Sequence, residues 1–184
     1  MTTKEIFEAC CRDASSRYNL DRPFIHGQHV YATDGHIAVR ACFINYPDTI
    51  TPDSTKKYPP VDKLPWTAAY DELVALPSVE PRMPGECEYC FGGGLCTGCP
   101  CGSEHDCGHC DGTGEKALAP IAVAVGSTFL SDLLITKLVG FGVTAVRCPS
   151  PANTIKRPVH PVFFKHGDFE GLVMPIEAPQ AVPA

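Results

Sequence analysis

The chain has 184 residues, 44% of them hydrophobic and 20% charged, with a formal charge of −6. That length and apolar content predict one domain of ordinary size with its own core, and they exclude wholesale disorder. Fifteen Lys and Arg against 21 Asp and Glu exclude a generally basic coat for nucleic acid.

Residues 1–17 are charged and amphipathic and show no apolar run of the kind a secretory signal needs. No stretch reaches the ~18 apolar residues of a membrane span. A cytoplasmic, reducing location with no membrane partner is therefore expected. Residues 4–17 predict an amphipathic helix. Ile6, Phe7, Cys10, Ala14 and Tyr18 recur at three- and four-residue spacing, Thr2 or Thr3 can cap it, and Arg22-Pro23 stops it. Residues 24–43 predict strands, with Asp34-Gly35 between two β-prone runs as the hairpin turn. Residues 45–66 are rich in Pro, Thr, Asp and Lys and read as a loop. Residues 67–76 predict a short helix ended by Pro77.

Residues 86–115 contain Glu86, Glu88, Glu104, Asp106, Asp111 and Glu115 and no Lys or Arg, so this segment holds the chain's whole net charge. It also holds seven of the eleven cysteines. Cys87-x-x-Cys90 and Cys107-x-x-Cys110 are each followed by a Gly-x-Gly, at Gly92 and Gly94 and at Gly112 and Gly114. Two residues between cysteines let one tight knuckle turn both thiolates toward one ion, and the glycines supply turns and free N–H groups toward sulfur. Two knuckles supply four thiolates at ~2.3 Å in a tetrahedron. Cys87, Cys90, Cys107 and Cys110 are thus predicted to hold one Zn²⁺ in a closed, structural site. Cys96, Cys99 and Cys101 with His105 or His109 offer a second zinc site; the plainer reading is free thiols, or alternative ligands within the same module. The repeated Cys-x-x-Cys-x-Gly-x-Gly resembles the cysteine-rich zinc region of DnaJ chaperones. The middle of the segment keeps only Cys96-x-x-Cys99, and the chain has no J-domain His-Pro-Asp signature.

Beyond the module, residues 121–125 predict a buried strand and 128–139 a second helix, with Gly140 as its C-cap. Residues 143–147, 162–165 and 171–176 predict three closing strands, with Phe163-Phe164 as core and edge strand. Residues 177–184 read as a disordered tail. The order of helix, strands, connector, strand, helix and strands predicts an α+β domain with both helices on one face of an antiparallel sheet.

The segment 121–176 is similar to the C-terminal half of a domain of bacterial DNA sliding clamps, the polymerase processivity factors of the DNA polymerase III beta subunit type. The run from Ala124 to Leu130 resembles the clamp strand leading into a helix, and Gly171-Leu172-Val173-Met174-Pro175-Ile176 resembles the clamp's closing signature. Thr33-Asp34-Gly35-His36 is similar to the clamp hairpin, and Tyr58-Pro59-Pro60-Val61 with Leu64-Pro65 to the connector between half-domains. The resemblance implies a DNA-clamp-like domain of two helix-plus-antiparallel-strand halves over 1–85 and 116–176, with 86–115 inserted as a zinc-binding module. A complete clamp ring needs several such domains lined by basic helices. This chain supplies one domain, and Lys4, Arg12 and Arg17 of its first helix are balanced by Glu5, Glu8 and Asp13. Glu177 stands where clamps tend to carry Arg.

The remaining chemistry reads as structural. Cys10, Cys11, Cys42 and Cys148 are scattered. His26, His29, His36, His160 and His166 lie in or beside strands, and Lys56-Lys57 and Lys156-Arg157 are small basic spots. There is no phosphate loop, serine elbow or carboxylate pair. The expected function is a non-enzymatic, clamp-like accessory or interaction protein of DNA metabolism, of phage or prophage type. Its zinc module would serve partner binding, its partner would be a protein, and DNA would be reached only through an oligomer or that partner; homo-oligomers are allowed. The alternatives are a nucleic-acid-binding zinc protein using Lys156-Arg157, its nucleic-acid-binding residues otherwise unassigned, and a thiol–disulfide redox or chaperone-like protein.

Overall fold

The computed structural model describes residues 1–11, 20–46, 50, 58–66, 70–96, 105–110, 112–149 and 161–177. The chain divides into two compact units, Met1–Val79 with Ile121–Ala184, and Glu80–Pro120.

The first unit opens with α1 (Thr3–Ala9), fixed by a reciprocal cap: the Thr2 hydroxyl accepts from Glu5 N–H and the Glu5 carboxylate accepts from Thr2 N–H. Ile6 and Phe7 are buried, as the periodicity requires. The helix expected over 4–17 is shorter in the described residues. It ends at Ala9, with Cys10 as C-cap, and 12–19 lie outside them. Strands β1 (Phe24–His26), β2 (His29–Thr33) and β3 (Ile37–Cys42) form a meander. Its second turn is set by Asp34, whose Oδ1 accepts from both His36 N–H and Ile37 N–H at 2.8 Å, while Gly35 takes φ +94°.

Residues 70–75 overturn the short helix expected over 67–76: Tyr70–Ala75 is strand β4. Val74 and Leu76 pack on the core while Leu73 is 63% exposed, a two-residue alternation. Residues 67–69 lie outside the described residues. The helix expected over 128–139 starts four residues later. Thr128–Ser131 is strand β6, paired with β5 (Ala122–Val125) in a separate hairpin, and α2 runs Asp132–Gly140. Ser131 is the N-cap, its Oγ accepting from Leu133 N–H. The expected C-cap at Gly140 also moves: the cap is Phe141, and the left-handed residue is Gly142 at φ +84°. Of the buried strand expected over 121–125 only Val125 is buried, because a two-stranded hairpin has just one covered side.

Strands β7 (Ala145–Pro149), β8 (Val162–His166) and β9 (Phe169–Val173) complete a seven-stranded sheet in the order β1-β2-β3-β9-β8-β7-β4, every neighbouring pair antiparallel. β8 is therefore an interior strand, not the edge expected for Phe163-Phe164. Two meanders, each preceded by a helix, meet at their last strands β3 and β9, with Val39 opposite Gly171. Their hairpins share one register. Tyr31↔Arg40, Ala32↔Val39 and Thr33↔Ala38 are matched by Phe163↔Leu172, Phe164↔Gly171 and Lys165↔Glu170. Gly171 is required where it stands, since a Cβ there would enter the Phe164 ring.

Alternation along the strands makes two cores. On one face Val30, Val39, Val146 and Phe164 join Ile6 and Phe7 of α1 and Ile135 and Leu138 of α2. On the other, Phe24, Tyr31, Ala38 and Leu172 lie under Val61 and Trp66 of the connector, and Trp66 Nε1–H donates to Val61 O at 2.8 Å. The protein is thus an α+β fold, a mostly antiparallel sheet with two helices that share one core. No helix among the described residues is long and apolar enough to cross a membrane.

Candidate functional site

Glu80–Pro120 is built from two copies of one knuckle. The first runs from Glu86 to Leu95, the second from Asp106 to Glu115, and each closes the other. Glu86 bridges Glu115 and Leu95 bridges Asp106. Cys87 N–H donates to Gly114 O and Cys107 N–H to Gly94 O, both at 2.8 Å. Gly92, Gly94, Gly112 and Gly114 have φ of +79°, +74°, +77° and +76°. A Cβ on Gly94 would strike the Gly112 carbonyl, and one on Gly114 the Gly92 carbonyl. The Gly-x-Gly of each knuckle is therefore what lets the two backbones cross.

This crossing gathers the sulfurs of Cys87, Cys90, Cys107 and Cys110 within 4.8 Å of one another, all four residues buried. Cys87 and Cys107 Sγ are 4.0 Å apart, and Cys90 and Cys110 Sγ 3.6 Å. A tetrahedron of Zn–S bonds puts its sulfurs about 3.8 Å apart, so the spacing fits a metal ion and is far too long for a disulfide. The donor set fits zinc: four soft thiolates with no oxygen ligand. Gly114 N–H points to Cys110 Sγ at 3.3 Å, the type of outer hydrogen bond that steadies a metal-bound thiolate. Backbone N–H groups of Tyr89 and Cys90 draw the Cys87 thiol down to about 7, while burial pushes Cys90 up to about 11. The His109 N–H lowers Cys107, but burial and the neighbouring thiols raise it overall. With four protein ligands, a bound ion would have no coordination position left for a reacting water.

Of the second set, Cys96 and His105 face each other across the arm that leaves the knuckles, Cys96 N–H donating to His105 O at 2.9 Å. Cys99 and Cys101 lie outside the described residues, as do Lys56-Lys57, Lys156-Arg157 and His160. His109 does not join the four sulfurs. Its ring stacks on Tyr89 with centroids 3.4 Å apart and planes 7° from parallel. Cys10 is buried in the main core, and Cys148 Sγ donates to Val125 O at 3.3 Å, so both are packing residues. His29 packs against Tyr31.

The first unit also holds an apolar cavity of about 330 Å³ that single-residue reasoning did not find. It lies at one end of β3 and β9, walled by Ile37, Pro59, Val61, Leu64, Leu172 and Met174, with Thr33 and His36 as its polar side chains. Met174 N–H donates to His36 O, which ties the end of β9 to the β2–β3 turn. Three sequence segments far apart in the chain converge here: the Thr33–His36 turn, the Pro59–Leu64 connector and the stretch leading into Met174-Pro175.

No protein-family model, curated protein or solved structure matches the chain.

Proposed function

We propose that the protein is a non-enzymatic, clamp-like interaction protein of DNA metabolism that docks an apolar segment of a protein partner in the cavity at the end of β3 and β9. One observation carries this reading. Three of the four segments that resemble sliding clamps in sequence, those at 33–36, 58–65 and 171–176, contribute to the wall of the cavity. The layout of two helix-and-meander halves meeting at β3 and β9 supports the clamp-like part of it. A concave, mostly apolar site with few polar groups suits apolar side chains. Among the described residues no Lys, Arg, Asp or Glu lines it, which favours an apolar occupant over a phosphate or a charged metabolite. Zn²⁺ on Cys87, Cys90, Cys107 and Cys110 orders the second unit.

Random-peptide display against the full zinc-loaded chain tests the proposal. Selected peptides should be rich in Leu, Met and Phe. Met174→Glu and Leu64→Glu, both at partly exposed positions of the wall, should each weaken them at least tenfold with an unchanged melting curve. Peptides that bind both variants as they bind the parent chain would place docking elsewhere. Sedimentation showing that the cavity is filled by a second copy of the chain would overturn the partner assignment.

A further inference from the structure

The Tyr89 and His109 rings do not hold the knuckles' sulfurs, yet each occupies the second position between the cysteines of its Cys-x-x-Cys loop. Tyr89 is 63% exposed and His109 is exposed, so the outer faces of this ring pair are open to water. Phe91, two residues on, is 80% exposed and holds φ +50°, on a backbone where an aromatic residue is uncommon. Aromatic rings displayed in water on a segment with no core of their own call for an occupant. Charge selects it. Between 86 and 115 there are six acids and no Lys or Arg; Lys116 just beyond takes up Glu88 at 2.6 Å, and four thiolates around one Zn²⁺ would add two more negative charges. A nucleic-acid strand would meet that charge with its own. A planar cation would be drawn to it and would stack on the ring faces.

We infer that the Tyr89–His109 platform binds an arginine-rich segment of a protein partner, guanidinium groups stacking on the rings and the net acidic charge of the segment drawing them in. Arginine is favoured over lysine because the guanidinium is flat and less strongly hydrated. The chain itself uses this chemistry: the Arg40 guanidinium lies 4.3 Å from the Trp66 ring centroid. Tyr89 and His109 come from different knuckles, so the platform needs both knuckles closed, which a bound metal would secure. The inference rests on reading the protein as a partner-binding one and adds a second, chemically different contact to it.

The test is binding of a fluorescent (Gly-Arg)n peptide to the full zinc-loaded chain at neutral pH, beside (Gly-Lys)n, (Gly-Glu)n and a thymidine single strand. The arginine peptide should bind best and weaken with salt. It should shift the ring resonances of Tyr89 and His109 in the unaltered chain. Tyr89→Ala should weaken it roughly fivefold, Tyr89→Phe should leave it unchanged, and chelation should abolish it. Unshifted ring resonances, equal binding by Tyr89→Ala that retains zinc, or stronger binding of the oligonucleotide would each overturn the inference. Met174→Glu separates the two readings: it should lose the cavity-selected peptides and keep the arginine peptide. Loss of the arginine peptide in this variant would overturn the platform, and retained binding of the cavity-selected peptides would overturn the cavity alone.

Discussion

Lys137 Nζ of α2 lies 2.6 Å from Asp34 Oδ2 in the β2–β3 turn, joining the helix of the second half to the hairpin of the first. The Asp34 side chain is 4% exposed, and its other oxygen already serves two turn N–H groups. Removing one partner of a buried pair strands the other. Lys137→Met should cost about 3 kcal/mol, and Asp34→Ala more, since the turn loses its acceptor as well. Urea unfolding of both variants measures this. An effect below about 0.5 kcal/mol for Lys137→Met, the size expected of an exposed pair, would show that the contact is peripheral.

Zinc content should depend on backbone as well as on sulfur. Cys87→Ser and Cys110→Ser remove ligands and should lower the metal stoichiometry of the chain. Gly94→Ala and Gly114→Ala remove none, yet each puts a methyl into the facing carbonyl on a left-handed backbone. Both alanine variants should bind zinc at least tenfold more weakly in a chromophoric chelator competition. Gly108→Ala, where a Cβ meets nothing, should bind as the parent chain does.

The strand assignment of 70–75 separates neighbouring residues. Val74→Asp puts a charge into the main core and should cost several kcal/mol. Leu73→Asp, on the open side, should stay within about 0.5 kcal/mol. A helix would place Val74 and Leu73 100° apart and would not divide them so cleanly.

His29 is half-buried beside Arg40, and burial first, then the Arg40 charge, hold its imidazole below the ordinary value, with Glu170 pulling the other way. An unfolded imidazole titrates near ~6.5. The neutral ring therefore stabilises the fold above that pH, and this contribution is lost as pH falls from there through the lower folded value. Proton NMR should place the His29 midpoint lower than that of an unfolded histidine. Arg40→Gln removes a positive charge and leaves Glu170 without its partner, so the midpoint should rise. A midpoint that does not move would remove Arg40 as a cause.

Local chemistry was readable from the chain wherever it acts within a few residues. Asp34-Gly35 marks a turn because the carboxylate reaches two N–H groups beside it. The Cys-x-x-Cys-x-Gly-x-Gly spacing marks a knuckle because its glycines do the turning. Tyr70–Ala75 hid its nature because its backbone partner is β7, far along the chain, and Tyr-Asp-Glu-Leu suits a helix equally well. Phe129 and Leu130 run without a break into the apolar face of α2, and only Ser131, a strong N-cap residue, marked the boundary. The cavity was invisible for a different reason. No segment contains it, and it exists only where the 33–38, 59–64 and 172–174 stretches meet.

The two knuckles enter and leave side by side. Lys116 N–H donates to Gly85 O at 2.7 Å, Glu86 bridges Glu115, and the Arg82 guanidinium reaches Ala119 O. A segment whose ends already touch asks almost nothing of the chain that carries it: cut out between Gly85 and Lys116, it leaves a gap that a tight turn can bridge. The metal knuckle is in this sense a portable part. It can be lost or transplanted into another surface loop as one piece, without a strand of its host having to learn a new neighbour.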